Sequence, residues 1–218
     1  MTESIKNFLG TIFIGIATTI VRIIGQLAIP AGEQTILSPS IFAQNGTMPI
    51  AFTIYGIFAY SLIAALFLLI RKRTGGNRIW QGLRYGFACC AVWTVYLWEP
   101  LPHVVPLDRI TYPVADGLAL IVMGLLLGWL FGHTGPSVKK RSWKMLALPV
   151  LIITLCFTAG RLLLYYVIGI YSSFPEKTVE TLLWCLLTGF VTACAMAWLN
   201  RYVDGGSRIK RSLILGGL

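Results

Sequence analysis

Two arginines interrupt segments of the chain that are otherwise apolar. Arg22 lies in TIFIGIATTIVRIIGQLAIP, residues 11–30, and Arg161 lies in MLALPVLIITLCFTAGRLLLYYVIGIYSS, residues 145–173. An arginine near the centre of a membrane helix costs about 2.5–3.5 kcal/mol on insertion scales. A guanidinium offsets this cost when it binds a carboxylate or phosphate, because its N–H groups form a planar fork that matches these anions. The two arginines are therefore the first candidates for a functional site.

Each arginine belongs to a polar stripe along its helix when the residues are wound at about 100° per residue. The first stripe comprises Thr11, Gly15, Thr18, Thr19, Arg22, Gly25 and Gln26, and the second comprises Thr154, Thr158, Arg161, Tyr165, Gly169 and Ser172. Polar stripes of membrane helices face protein or a wet cavity, and the opposite faces meet lipid. Because both helices are predicted to run outward, we expect the two arginines to converge on one cavity that opens to the outside. Gln26, Tyr165 and Tyr166 would add neutral hydrogen bonds there.

Three acids are candidate partners of the arginines: Glu99, Asp116 and Glu180. One interpretation is that ion pairs between these acids and the arginines join the helices. The other is that the arginines bind an anion from outside. The two interpretations are compatible, since a site can contain one ion pair and one unpaired charge. The candidate substrate-binding residues are Arg22, Gln26, Arg161, Tyr165, Glu99 and Asp116.

Other catalytic or metal-binding patterns are scarce. HExxH, GxSxG, a P-loop and GxGxxG are all absent from the sequence, and the five cysteines contain no CxxC pair. The two histidines, His103 and His133, are predicted to lie on opposite sides of the membrane. Glu99, Asp108 and Asp116 cluster near the predicted outer surface and offer acid/base groups. No metal and no cofactor is expected, and the motif content leaves enzymatic activity open but favours a non-enzymatic protein.

The elements that must position these residues are membrane helices. Of the 218 residues, 56% are hydrophobic and only 12% are charged, which is too apolar for an ordinary soluble domain. Hydropathy resolves six segments long enough to cross a bilayer. They lie at about 8–29, 50–70, 79–98, 114–133, 145–171 and 178–199. The predicted fold is therefore an all-α, polytopic bundle of six transmembrane helices in a single domain, 1–218. The first segment is too long for a cleaved signal peptide and is expected to be retained.

The net charge of +10 is distributed unevenly along the predicted path. One set of helix ends is flanked by Lys6, Arg71, Lys72, Arg73, Arg78, Arg84, Lys139, Lys140, Arg141, Lys144, Arg201, Arg208, Lys210 and Arg211. The other set is flanked only by Arg109 and Lys177. By the positive-inside rule both termini are cytoplasmic, and the protein lies in the cell membrane. The basic residues then act as topology signals that attract anionic lipid, and no nucleic acid partner is expected.

Small residues recur at four-residue spacing on several helices, which allows close packing. They include Gly82 and Gly86, Gly124, Gly128 and Gly132, and a Thr/Cys series at 181, 185, 188 and 192. These stripes predict helix packing within the bundle, and they also offer a surface for a partner membrane subunit or a second copy. The loops 30–49 and 99–113 are predicted to lie outside, the latter as a stiff, partly extended lid because of its prolines. Trp93, Tyr112 and Trp184 are interpreted as interfacial anchors.

The leading functional hypothesis is a transport or solute-binding protein that takes up a small anionic molecule from the outer side. It would act alone or as the membrane subunit of a larger transporter. In size and predicted topology the chain is similar to the substrate-binding membrane subunits of energy-coupling-factor transporters, a similarity of architecture without a shared motif. The alternatives are a non-transporting membrane accessory, such as an immunity, resistance or assembly factor, and a membrane enzyme that handles lipid phosphate.

Overall fold

The computed structural model describes residues 2–29, 40–135 and 146–202. Within these ranges the chain forms helices and no strand, as the predicted all-α fold requires. The α-helices are α1 (Glu3–Ala28), α2 (Ile41–Gln44), α3 (Met48–Ile70), α4 (Arg78–Leu97), α5 (Asp108–Phe131), α6 (Ala147–Leu163) and α7 (Thr178–Asn200). A 3₁₀ turn, Arg71–Arg73, continues α3, and a π-helical segment, Leu164–Ile168, continues α6. Much of the predicted outer loop 30–49, most of the basic loop before α6 and residues 203–218 lie outside the described residues.

Five helical segments are long and apolar enough to cross a membrane. They are Glu3–Ala28, Met48–Arg73, Asp108–Phe131, Ala147–Ile168 and Thr178–Asn200. The third predicted span, 79–98, is present as α4, but α4 is not among these five. Gln81, Arg84 and several tyrosines and tryptophans lower its hydropathy. The structure thus supports five of the six predicted spans, and the remaining one is a helix whose composition alone does not establish that it crosses a membrane.

Neighbouring helices pack antiparallel, in the spatial order α3, α1, α5, α4, α7, α6. The closest pair is α4 and α5, where the predicted glycine stripes meet. A Cβ on Gly86 would lie 2.7 Å from the carbonyl oxygen of Leu120 and 2.9 Å from the Cα of Gly124. These distances are too short for any side chain, so the two backbones can approach this closely only through glycine. The glycines of α4 and α5 therefore serve contacts within the chain.

The polar stripe of α1 faces the protein, as predicted. The buried residues of α1 are Ile14 and four residues of the stripe, Thr11, Gly15, Thr18 and Thr19. Gly15 packs on α3, where a Cβ would lie 2.7 Å from the carbonyl oxygen of Ile57. The opposite face of α1 exposes large apolar side chains such as Phe8, Phe13, Ile20 and Ile24. An exposed apolar face of this extent is expected where a helix meets lipid.

Helix α5 begins earlier than predicted and shortens the expected outer lid. The predicted lid, 99–113, is helical from Asp108 onward, so Pro113 lies inside the helix. A proline has no N–H and leaves the carbonyl four residues earlier without its helical partner. Here that carbonyl belongs to Arg109, and the indole Nε1 of Trp98 donates to it at 3.0 Å. The lid prediction is wrong for 108–113, which are helical, and Trp98 supplies a donor in place of the missing helical bond.

Helix α6 ends earlier than the predicted boundary at 171. The π-helical segment stops at Ile168, and Gly169 adopts the left-handed conformation with φ of 68°. Glycine tolerates this conformation because it has no Cβ. Gly169 and Ser172 therefore do not continue the predicted stripe of this helix. Thr154 and Tyr165, which belong to the same stripe, are buried.

Candidate functional site

Arg22 forms an ion pair with Asp116 across the interface between α1 and α5. Its Nε donates to Asp116 Oδ1 at 2.6 Å, and the indole Nε1 of Trp93 donates to Asp116 Oδ2 at 2.8 Å. The side chain of Asp116 is 1% exposed and that of Arg22 is 22% exposed. Both oxygens of the carboxylate therefore have a protein donor. Asp116 acts as a fixed anchor that binds the guanidinium at its Nε edge.

Close packing of α1 on α5 brings the two charges together. A Cβ on Gly25 would lie 3.3 Å from the Cβ of Ala115, so the helices approach tightly one turn from Arg22. Asp116 follows Ala115 directly in the sequence, and Gly25 lies on the same stripe as Arg22. Small residues at this contact thus allow a charged pair to form between two membrane helices.

Arg22 also lines a cavity of about 530 Å³, here called the Arg22 cavity. Its other lining residues are Thr19, Ile23 and Gln26 from α1, Pro49, Phe52 and Thr53 from α3, Leu97 from α4, and Tyr112 and Asp116 from α5. Among the described residues, Asp116 is the only side chain that hydrogen-bonds the Arg22 guanidinium. Within this part of the chain the two Nη amines are left as candidate donors to a molecule in the cavity. A cavity of this volume accommodates a small organic molecule.

Arg161 lies in a second group of side chains, here called the Arg161 cluster: Arg161, Glu99, Tyr165 and Trp184. An Nη amine of Arg161 donates to Glu99 Oε1 and to the hydroxyl of Tyr165, and that hydroxyl donates to the same glutamate oxygen at 2.9 Å. The guanidinium lies 5.0 Å from the Tyr165 ring centroid and 4.8 Å from that of Trp184. The Trp184 indole is fixed by its own bond to the carbonyl of Val95, 2.8 Å long.

The Arg161 cluster joins three parts of the bundle, and its ion pair is largely buried. Arg161 comes from α6, Trp184 from α7, and Glu99 follows the end of α4. The side chains of Arg161 and Glu99 are 12% and 10% exposed. Removal of one partner of a buried ion pair destabilises a protein by about 3–5 kcal/mol. The arrangement is that of a structural contact between helices.

The structure does not bring the two arginines together. Arg22 pairs with Asp116 and lines the Arg22 cavity, whereas Arg161 pairs with Glu99 on the far side of α4. The expectation that both guanidinium groups share one cavity is therefore wrong. The expectation rests only on the depth and direction predicted for the two helices. It could not reveal that α5, α4 and α7 lie between these two helices.

The remaining predicted site residues divide between these two groups. Gln26 lines the Arg22 cavity, and Tyr165 belongs to the Arg161 cluster. Glu180, the third candidate acid, is exposed and forms no ion pair within the described ranges. Glu99 and Asp108 line a second cavity of about 270 Å³ near the same end of the bundle. The three acids considered for acid/base chemistry are thus split between two cavities.

Sequence reasoning missed the tryptophans that complete both groups. The interpretation of Trp93 and Trp184 as interfacial anchors does not fit their contacts. Trp184 is 5% exposed, and the two indole N–H groups donate to Asp116 and to the carbonyl of Val95. The glycine register contained a usable signal for Trp93. Gly86 of α4 contacts Leu120 of the antiparallel helix α5. Seven residues further along α4 lies Trp93, and seven residues back along α5 lies Pro113, about one turn from Asp116. Trp184 has no comparable signal in the sequence.

No protein-family model, curated protein or solved structure matches the chain. The class of protein therefore follows from the fold alone. Five apolar helices of sufficient length are consistent with a multi-pass membrane protein. Within that class, the features particular to this chain are the Arg22 cavity and the Arg161 cluster.

Proposed function

We propose that the protein binds a small anionic solute from the outer side of the cell membrane, in the Arg22 cavity, as a transporter or as the membrane subunit of one. The observation that carries this proposal is the guanidinium of Arg22, which has Asp116 as its one side-chain acceptor within the described residues and lines a cavity. Its Nε is bound by a 1% exposed carboxylate, and its side chain remains 22% exposed where it lines the cavity. A carboxylate or phosphate oxygen can then accept from the Nη amines while Asp116 keeps the guanidinium oriented.

The charge balance of the site suits reversible binding. Arg22 and Asp116 together carry no net charge, so an anion in the cavity meets an oriented donor fork instead of an uncompensated cation. Binding by such a fork is weaker than binding by a free buried charge, because Asp116 already neutralises much of the potential. A protein that must release its solute needs such moderate affinity. Gln26 and Tyr112 supply further polar groups at the cavity wall.

The proposed topology has six spans, with α4 as the additional one, and both termini in the cytoplasm. The lining residues Pro49, Leu97 and Tyr112 lie at the start of α3, the end of α4 and the start of α5, so the cavity is at one end of the bundle. The opposite end carries the basic connection between α3 and α4, 71–78. Under the positive-inside rule this basic end is cytoplasmic and the cavity faces outward.

Binding of acetate, benzoate and inorganic phosphate by the purified protein in lipid nanodiscs tests the proposal. We expect at least one of these anions to bind the native chain and to lose about tenfold or more in affinity in Arg22→Gln, since a charge-assisted hydrogen bond is worth about 1.5–3 kcal/mol. Lys177→Gln is the matched control, because it removes an exposed cation beside the start of α7 that does not line the cavity. A folded native protein that binds none of the anions would contradict the proposal and favour the accessory role.

The orientation is tested separately with an impermeant maleimide on intact cells. Asn45→Cys precedes α3 at the cavity end, and Lys72→Cys lies in the basic connection at the other end. We expect labelling above that of the parent chain, with its native cysteines, only for Asn45→Cys. Labelling of Lys72→Cys alone would reverse the proposed orientation.

A further inference from the structure

We infer that the ligand of the Arg22 cavity is an amphiphilic monoanion, with one carboxylate or phosphodiester head and an apolar body. This inference rests on the proposed function and names its substrate class. Within the described lining, Arg22 is the only cation, and its charge is shared with Asp116. A ligand with two or more negative charges would leave part of its charge without a partner in a poorly solvated site. The cavity therefore favours a single negative charge.

Part of the cavity wall is apolar. Ile23, Pro49, Phe52 and Leu97 line the cavity, and none of them offers a side-chain hydrogen-bond donor or acceptor. A fully hydrophilic anion would lose water against these side chains without replacing its hydrogen bonds. An acyl or aryl body would instead bury apolar surface against them.

The apolar wall is continuous with the surface of the bundle that faces lipid. Phe52 is 52% exposed, and Met48 and Tyr55, which lie about one turn away on the same face of α3, are 38% and 64% exposed. The head of an amphiphile can thus reach Arg22 while its tail lies along Phe52 toward the lipid-facing surface of α3. Such a ligand comes either from the outer leaflet, as a monoanionic lipid, or from solution, as a free organic acid. The two sources share the chemistry that the cavity recognises.

Octanoate, acetate and 1-octanol are the probes for this inference, with the full chain in phosphatidylcholine nanodiscs. Equilibrium dialysis of radiolabelled octanoate gives the affinity, and empty nanodiscs correct for partition into lipid. We expect octanoate to bind more tightly than acetate, by about fourfold for each methylene that enters the cavity, since burial of one methylene is worth about 0.8 kcal/mol. Octanol has the same tail without the charge and should not compete.

Two variants separate the head from the tail. Arg22→Gln should abolish the preference for octanoate over octanol. Phe52→Ala should weaken octanoate about tenfold and leave acetate unchanged, because it removes half-buried apolar surface only. Phe13→Ala is the matched control, as Phe13 is 53% exposed on the lipid-facing side of α1 and does not line the cavity.

The outcomes distinguish this inference from the proposed function. If acetate binds as tightly as octanoate and both depend on Arg22, the substrate class is wrong and the proposed function stands. If octanol binds as well as octanoate, or Phe13→Ala weakens octanoate as much as Phe52→Ala does, the inference is overturned. If no anion binds, both fall. If phosphatidylglycerol added to the nanodiscs competes with octanoate, the ligand is a lipid. If octanoate binds and phosphatidylglycerol does not compete with it, the ligand is a free acid.

Discussion

The pair of Arg22 and Asp116 should show a large coupling energy in a double-mutant cycle. The two side chains are joined at 2.6 Å, and Asp116 is 1% exposed. Arg22→Gln leaves a buried carboxylate with Trp93 as its remaining donor, and we expect a loss of about 4 kcal/mol in the free energy of unfolding. Asp116→Asn leaves a guanidinium that is partly exposed, so the expected loss is smaller, about 3 kcal/mol.

The double variant should be less damaging than the sum of the two single changes. Gln and Asn can hydrogen-bond each other, and neither leaves a charge behind. We expect an interaction energy of about 2–3 kcal/mol, at the upper end of what coupled residues show. The measurement is reversible unfolding of the protein in mixed dodecylmaltoside and SDS micelles, followed by the loss of helical circular dichroism.

The ion pair between Arg71 and Glu3 is the internal control for this cycle. Its distance is similar, 2.9 Å, but Glu3 is 68% exposed. Solvent screening should reduce its coupling to about 0–1 kcal/mol. Additive losses within about 0.5 kcal/mol for Arg22→Gln and Asp116→Asn would refute the reasoning, since additivity is the behaviour of independent sites. Equal coupling in both cycles would show that burial does not set the strength of the pair.

Three further changes test the packing of the bundle. Gly86→Ala should destabilise the bundle by about 1–3 kcal/mol, because the added methyl group overpacks against Gly124. Gly160→Ala is the control, since its methyl group would meet nothing within 4 Å. Equal unfolding midpoints for the two variants would contradict the close contact at Gly86. Arg161→Gln should lower the thermal unfolding temperature and leave the anion affinity of the remaining folded protein unchanged, and a selective loss of affinity would return Arg161 to the binding site. Trp98→Phe should cost about 0.5–1.5 kcal/mol because the carbonyl that the helix proline leaves without a partner loses its donor, and a variant as stable as the native chain would show that water replaces the indole.

The helices were predictable because their signals are local. Long apolar segments give the spans, and the polar stripe of α1 gives its buried face, both of which depend only on residues within one helix. The boundaries of α5 and α6 were less accurate. Helix α5 starts before Pro113, and the carbonyl that the proline leaves without a helical partner accepts from Trp98, a residue outside the helix.

The candidate site could be predicted only in its residue types. The sequence identified Arg22, Asp116 and Gln26, because charges and amides within apolar helices are costly and stand out. It did not identify which acid pairs with which arginine. That assignment depends on the order of helices around the bundle, and equal depth in the membrane is compatible with many orders. The glycine spacing of α4 and α5 indicates that these two helices can pack closely, which gives one pair of neighbours in that order.

The two arginines show how the surroundings of a charge determine what it can do. One Nη amine of Arg161 donates to an acid and a hydroxyl, two aromatic rings lie close to the guanidinium, and its buried Nε has no hydrogen-bond partner among the described residues. Asp116 binds Arg22 at Nε instead, and among the described residues no side chain accepts from its Nη amines. Since the insertion cost of the two arginines is similar, the ion pairs offset that cost in both cases. The difference between them is their surroundings, since Arg22 lines a cavity and its side chain is 22% exposed, whereas that of Arg161 is 12% exposed.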